Sequence, residues 1–199
     1  MVGKPSVLKR TWSFLNQPSA KFSVLAIVVS SIFGGVIFWG GFNTAMEATN
    51  DPDFCISCHE MRDNVFAEFQ KTIHYTNRVG VRATCPDCHV PKVWGYKFLR
   101  KVQASRELWG KIAGTVSTTD KFEDHRMEMA TREWARMKAS DSRECRNCHS
   151  FEAMREAPET LPVYEKHMKA KQQGQTCIDC HKGIAHLLPR EYQDLADLK

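Results

Sequence analysis

The sequence predicts a mostly helical protein with one N-terminal transmembrane helix and a further helical domain. Three observations carry this prediction. Residues 22–42, FSVLAIVVSSIFGGVIFWGGF, contain no charged side chain. Residues 92–113 and 121–138 space large apolar side chains three or four positions apart among charged ones, which is the pattern of an amphipathic helix. Alternating strand patterns are nearly absent from the chain.

The uncharged run is long enough to be a membrane anchor. Its 21 residues would form a helix of about 31 Å, which matches the hydrocarbon core of a bilayer. The run is too long for a cleavable signal peptide, and no small-x-small cleavage site follows it. Four basic residues and no acidic residue precede it. We therefore expect residues 1–21 to form a cytoplasmic tail and residues 43–199 to lie on the far side of the membrane.

All eight cysteines belong to four copies of the motif Cys-x-x-Cys-His. The copies are Cys55/Cys58/His59, Cys85/Cys88/His89, Cys145/Cys148/His149 and Cys177/Cys180/His181. In this motif the cysteines form thioethers to a haem and the histidine binds its iron. Zinc sites made of four cysteines would need no histidine after each pair, and no thioredoxin-like βαβ unit accompanies the pairs. The sequence therefore predicts four c-type haems, which bacteria attach on the periplasmic face of the inner membrane.

The charge balance excludes a nucleic-acid partner. Four of the 28 basic residues lie in the N-terminal tail, which leaves 24 basic against 23 acidic residues in the remainder of the chain. The propionates of four haems would make the periplasmic part net acidic, and its basic residues form no dense tract.

The motifs fall into two pairs. They begin at positions 55, 85, 145 and 177, so a long interval separates two short ones. Within each pair a lone histidine, His74 or His167, follows the first motif, and glycine and threonine precede the second motif, in GVRATCPDCH and GQTCIDCH. We interpret this as an internal duplication, with one haem pair in residues 43–120 and the other in residues 121–199.

The haems are expected to replace much of a conventional core. The methionine and aromatic side chains of the two predicted helices would then pack against haem. Asp120 is a plausible N-cap for the second of these helices.

Each iron needs a second axial ligand beside its motif histidine. The four histidines outside the motifs are His74, His125, His167 and His186, which allows four low-spin bis-histidine haems. His186 lies too close in sequence to His181 to reach the opposite face of the same iron, so we expect it to serve a neighbouring haem. His125 lies on a predicted helix far from any motif and has the weakest case.

Met61 competes with these histidines. A thioether is a recognised haem ligand that raises the reduction potential relative to two histidines. Packing against the first haem is the alternative role of this side chain. From spacing alone, packing is the favoured role of Met61, and His59 is the other candidate ligand of the first iron.

The motifs together resemble those of a known family. The segments FWGGFNT, CISCHEM, ATCPDCHVP, ECRNCH and TCIDCHKGIAH occur in the order found in the NapC/NirT family of membrane-anchored tetrahaem cytochromes c. The resemblance covers nearly the whole chain. It implies oxidation of membrane quinol, either menaquinol or ubiquinol, and delivery of electrons to a periplasmic reductase. Nitrate reductase is the expected partner, and a nitrite reductase is the alternative.

The resemblance also implies roles for individual residues. It favours Met61, within Cys-x-x-Cys-His-x-Met, as the ligand of the first iron. It implies a basic and an acidic residue at the quinol site, here Lys101 and Glu107, although without the resemblance a solvated helix face would be the favoured explanation of both side chains. The sequence departs from the family where many members have a histidine after the second motif, because Lys92 stands there.

Three rival functions remain at this point. The chain could be an electron relay that never contacts quinol, a terminal reductase acting at an open haem, or a structural or sensory haem protein. Association of two copies through the glycines of GGVIFWGG in the anchor is also open.

Overall fold

The chain consists of an N-terminal unit, Met1–Glu47, and a C-terminal unit, Ala48–Lys199. The computed structural model describes residues 6–15, 21–151, 154 and 160–192. No β-strand occurs within these ranges, so the prediction of a mostly helical protein is confirmed.

The N-terminal unit contains two helices, α1 (Val7–Leu15) and α2 (Val24–Ala48). The 25 residues of α2 span about 37 Å, and their most apolar window has a mean hydropathy of 2.1. By length and composition α2 is able to cross a membrane. The helix begins two residues after the start of the uncharged run and continues beyond its end, to Ala48.

The C-terminal unit is built from short helices at the motifs and three longer ones between them. The helices are α3 (Pro52–Ile56), α4 (Ala67–Phe69), α5 (Cys85–His89), α6 (Trp94–Ala113), α7 (Thr119–Ala139), α8 (Arg143–Arg146), α9 (Leu161–Gln172) and α10 (Cys177–Cys180). A π-helical segment, Met61–Phe66, lies between α3 and α4. Such segments are rare and occur frequently at functional sites.

The two predicted amphipathic helices are α6 and α7. Helix α6 ends where Gly114 adopts a left-handed conformation with φ of 68°, which glycine tolerates because it lacks a Cβ atom. Helix α7 begins earlier than expected. Its N-cap is Thr118, whose hydroxyl accepts a hydrogen bond from the amide of Lys121 at 3.3 Å, so the assignment of Asp120 as the cap is wrong.

The second motif of each pair folds in the same way. Thr84 and Asp87 form a capping box at α5, and Thr176 and Asp179 form the matching one at α10. The glycine that precedes each box, Gly80 or Gly174, has a positive φ, 75° and 66° respectively. The local similarity on which the duplication was argued therefore extends to backbone conformation.

Few apolar side chains are buried in the C-terminal unit. Among the described residues these are Phe69, Phe122, Phe151 and Ile178, together with the prolines Pro91 and Pro189. Large apolar side chains along α6, such as Trp109 and Ile112, are each 69% exposed. The polypeptide alone thus lacks the core that a domain of this size normally has.

Candidate haem-binding site

Six of the eight histidines form three pairs in space. The ring centroids of His74 and His149 lie 6.2 Å apart. Those of His89 and His186 also lie 6.2 Å apart. Those of His167 and His181 lie 5.9 Å apart, with nearly parallel rings. Each pair joins one motif histidine to one histidine from outside the motifs.

The separation within each pair fits one iron between two imidazoles. Metal–imidazole bonds of about 2.0–2.1 Å and a ring radius of about 1.1 Å place two axial imidazoles about 6.3 Å apart, centroid to centroid. The three pairs are within a few tenths of an ångström of this value. The donor sets, together with the scarcity of buried apolar side chains, therefore fit haem.

Hydrogen bonds at Nδ1 leave Nε2 available in three of these rings. Nδ1 of His167 lies 2.8 Å from the carbonyl oxygen of Val163, and Nδ1 of His186 lies 3.2 Å from that of Val65. Nδ1 of His89 lies 2.8 Å from a carboxylate oxygen of Glu133. A ring that donates from Nδ1 carries its lone pair on Nε2, the form that binds a metal.

Glu133 orients the second motif from helix α7. Its carboxylate contacts both His89 and the guanidinium of Arg136, at 2.8 Å and 2.6 Å. Burial alone would raise the pKa of Glu133, but the hydrogen bonds from these two partners hold it well below its usual range. Arg136 also donates to the carbonyl oxygen of Cys88 at 3.3 Å. A carboxylate behind a ligating histidine raises the basicity of the ring.

An ion pair between Arg126 and Glu68 fixes the position of His186. The guanidinium of Arg126, only 7% exposed, lies 2.6 Å from a carboxylate oxygen of Glu68. Glu68 accepts a hydrogen bond from the amide of Leu187 at 2.9 Å, and Arg126 donates to the carbonyl oxygen of the same residue at 3.3 Å. The pair thus clamps the backbone next to His186. Burial lowers the pKa of His186 to about 4, so its ring is neutral at pH 7.

The four motifs follow one another in space as they do in sequence. A hydrogen bond from Cys55 lowers the pKa of the Cys85 thiol to about 7. Burial, followed by the proximity of Cys145, raises the pKa of Cys88 to about 11. Burial and then Cys177 raise that of Cys145. Haems attached to these cysteines would form a row.

Two of the eight predicted haem-attaching cysteines have exposed side chains. These are Cys148 and Cys180, whereas the other six are half-buried, so a sheltered setting is not common to all eight. Helix α8 ends at Arg146, two residues before Cys148. The amide of Cys148 still donates to the carbonyl oxygen of Cys145 at 3.2 Å, which keeps both cysteines of the third motif in one turn. Since a thioether forms at Sγ, an accessible sulfur at Cys148 fits attachment of a haem.

The first motif differs from the other three in the partner of its histidine. Among the described residues no second imidazole pairs with His59. Instead its Nε2 lies 3.2 Å from a carboxylate oxygen of Glu60. Met61 begins the π-helical segment two residues further on. His125 also stays outside the three pairs, and its Nδ1 lies 2.8 Å from the carbonyl oxygen of Lys121, one turn earlier in the same helix.

The two predicted quinol-site residues do not contact each other. Nζ of Lys101 donates to the carbonyl and hydroxyl oxygens of Thr49, at 2.8 Å and 2.7 Å. Glu107 is 58% exposed, and its carboxylate lies 2.9 Å from the guanidinium of Arg100. Lys92 is exposed just before α6. The structure therefore gives Lys101 and Glu107 separate environments on one helix.

Sequence reasoning missed an ion pair beside the first motif, between a buried carboxylate and a partly exposed lysine. Nζ of Lys111 lies 2.6 Å from both carboxylate oxygens of Glu60, whose side chain is 3% exposed. Burial would raise the pKa of Glu60, but the hydrogen bond from Lys111 and further favourable interactions outweigh it, and the net shift is downward. The two residues are 51 positions apart in the sequence, so no local pattern predicts the contact.

Comparison with known proteins identifies the family. The model of the "NapC/NirT cytochrome c family, N-terminal region" matches residues 17–191. The denitrification system component NirT of Stutzerimonas stutzeri is 59% identical over 89% of this chain and 88% of its own length. The cytochrome c-type protein NapC of Escherichia coli K12 is 52% identical over 94% of this chain and 92% of its own length. NapC of Paracoccus pantotrophus is 55% identical over 89% of this chain and 76% of its own length.

No solved structure gives a significant match. The family match covers all four motifs and the helix that precedes them, and the relatives share more than half of their residues with this chain over most of its length. The chain therefore belongs to the NapC/NirT cytochrome c family.

Proposed function

We propose that this chain oxidises membrane quinol and passes the electrons through four c-type haems to a periplasmic reductase. As a member of its family it is a membrane-anchored cytochrome c of electron transfer with covalently bound haem. The observation that carries the proposal is the contrast between three motifs paired with a second histidine and a first motif without one among the described residues. The three sites with a second histidine are thereby suited to storing and relaying electrons, and the site at the first motif is suited to receiving them.

The ligand scheme follows from the pairs. In this scheme His74 would hold the third haem, His186 the second and His167 the fourth, each together with the motif histidine of that haem. Met61 is assigned to the first haem, with His59 as the alternative, and His125 has no place in this scheme. Two of the distal ligands thus cross between the two predicted haem pairs.

The residues of α6 provide the quinol site in this proposal. A quinol releases two protons with its two electrons, and each bound haem takes up one electron at a time. Lys101, held at Thr49 directly after α2, positions a quinol oxygen. Glu107, whose carboxylate is largely exposed, accepts a proton. Both residues lie on the helix that also supplies Lys111 to the first motif.

The arrangement across the membrane follows the charge of the tail. The single apolar helix and the family place the chain in the inner membrane as a single-pass protein. The basic residues before α2, including Lys9 and Arg10, favour a cytoplasmic N-terminus. Residues 43–199 would then lie in the periplasm, where the reductase is found.

Reduction kinetics in proteoliposomes test the direct use of quinol. We expect menaquinol or ubiquinol analogues to reduce all four haems without any further protein. A chain that stays oxidised under these conditions, yet is reduced by dithionite, would be a relay and not a quinol dehydrogenase. Turnover of nitrite by the isolated chain would instead indicate a terminal reductase.

The reductase is proposed from the relatives. NapC and NirT have similar sequence identity to this chain, and NirT is a component of a denitrification system. We favour a nitrate reductase as the partner and keep a nitrite reductase as the second candidate. Electron delivery to each purified reductase, measured side by side, separates the two.

A further inference from the structure

The first motif holds its histidine in an environment that the other three do not share. Nε2 of His59 lies 3.2 Å from Glu60, and Nδ1 lies 3.9 Å from Asp63. Both ring nitrogens therefore face carboxylates. In His89, by contrast, the carboxylate is at Nδ1 and the ring lies opposite a second imidazole. The nitrogen that normally binds iron is the one that lies beside the carboxylate of Glu60.

Glu60 is itself fixed in position. Its side chain is 3% exposed, and both of its oxygens lie 2.6 Å from Nζ of Lys111. Its backbone carbonyl accepts a hydrogen bond from the buried side-chain amide of Asn64 at 2.8 Å. A buried carboxylate that leaves its lysine partner loses the charge that compensates its own. Glu60 therefore cannot readily turn away from Lys111, and the carboxylate stays beside His59.

Met61 follows this fixed residue directly. It opens the π-helical segment, and its amide donates to the carbonyl oxygen of Cys58 at 3.1 Å. The wider turn of a π-helix changes the direction of the side chains at its start relative to an α-helix. The backbone at the first motif thus differs from that at α5 and α10, which are α-helical up to the second cysteine.

We infer that the Glu60–Lys111 pair is a ligand-selecting device, which holds Nε2 of His59 away from the first iron and leaves the axial position to Met61. The inference rests on the proposed haem scheme and deepens it. Glu60 and Lys111 are positioning residues, because they act through His59 and do not touch the iron. The device explains how one of four identical Cys-x-x-Cys-His motifs takes a different ligand.

The test uses the full-length holoprotein and two variants, Lys111→Met and Glu60→Gln. Mass spectrometry first establishes that each carries four haems. Magnetic circular dichroism then identifies the axial ligands, because methionine-ligated and histidine-ligated haems have different charge-transfer bands. Potentiometric titration follows the same haem, since exchange of sulfur for nitrogen lowers its potential. Lys111→Arg conserves the pair, and Lys121→Met, on α7, removes a lysine whose ammonium contacts Gly114 and Ser117.

In both test variants we expect the methionine signature to disappear and the potential of one haem to fall, while the other three haems keep theirs. Lys111→Arg and Lys121→Met are expected to match the wild type. An unchanged ligand signature in Lys111→Met and Glu60→Gln would overturn the inference, as would the same shift in Lys121→Met. Either test variant alone decides the question if the other fails to acquire haem.

A fifth variant, Met61→Leu, distinguishes failure of this inference from failure of the proposed haem ligand scheme. If Met61→Leu leaves the ligand signature of the first haem unchanged, Met61 is not a ligand, and both the proposed ligand scheme and the inference about Glu60 and Lys111 fail. If Met61→Leu changes the ligand signature but the Lys111 and Glu60 variants do not, only the inference about Glu60 and Lys111 fails. Neither result bears on quinol oxidation, which the proteoliposome kinetics test separately.

Discussion

The rings of His89 and His186 lie 6.2 Å apart, although the third motif and the fourth both lie between them in the sequence. The histidine of the second motif therefore faces a residue that follows the fourth motif. Contacts of this kind tie the two halves of the C-terminal unit together, and they make individual ligand assignments testable one haem at a time.

Replacing His186 by alanine is expected to convert one low-spin haem to high-spin. The ring would be lost from the side of the second iron opposite His89, and no other imidazole pairs with His89 among the described residues. Electron paramagnetic resonance counts the two spin states. His125→Ala is the matched control and is expected to leave the spectrum unchanged, because His125 stands outside all three pairs. A spin change in His125→Ala would contradict the scheme.

Replacing Glu133 by glutamine is expected to raise the potential of the second haem. The carboxylate, 2.8 Å from Nδ1 of His89, makes the ring a stronger donor and so favours ferric iron. Potentiometric titration of the four haems measures the change. Glu128, a 60% exposed carboxylate on the same helix, provides the control, and Glu128→Gln should leave all four potentials in place. Equal shifts of haem potential in Glu133→Gln and Glu128→Gln would show that loss of any negative charge from this helix has the same effect.

Replacing Glu107 by glutamine is expected to slow quinol oxidation by roughly 10²–10⁴-fold, the usual contribution of a positioned proton acceptor. The measurement is stopped-flow reduction of the haems by a quinol analogue in proteoliposomes. Reduction by dithionite, which needs no proton acceptor on the protein, should keep its normal rate. Unchanged quinol kinetics with four haems present would remove Glu107 from the mechanism.

Replacing Arg126 by methionine is expected to destabilise the holoprotein by about 3–5 kcal/mol, because Glu68 is left buried without its partner. Guanidinium unfolding followed by circular dichroism measures the loss. Arg132→Met is the matched control on the same helix. Its pair with Glu128 is exposed, so about 0–1 kcal/mol is expected. Similar losses in the two variants would show that the Arg126–Glu68 pair does not hold this part of the fold together.

Sequence reasoning reached the features that depend on local pattern. The uncharged run, the periodicity of residues 92–113 and 121–138, and the repeated motif are all properties of neighbouring residues, and the structure contains the corresponding helices. The N-cap of α7 was misassigned because Asp120 and Thr118 are both good capping residues two positions apart, and only the backbone conformation distinguishes them.

The partners of the histidines were beyond sequence reasoning for a different reason. Counting identified His74, His167 and His186 as candidates, with His125 as a weaker one, but not the motif that each would face. Glu133 and Lys111 were missed entirely, because their contacts with His89 and Glu60 join residues 44 and 51 positions apart. A glutamate or lysine on an amphipathic helix has no sequence signature that separates such a contact from an ordinary solvated face.

The scarcity of buried apolar side chains has a consequence for how much of this protein a cell contains. A chain that has not received its haems exposes the side chains of α6 and has few buried apolar side chains, among the described residues, to protect its backbone. Proteases cleave open chains of this kind in proportion to the time they spend open. Cofactor supply would then set the abundance of the protein after translation, with degradation removing every copy that the attachment machinery leaves unfinished.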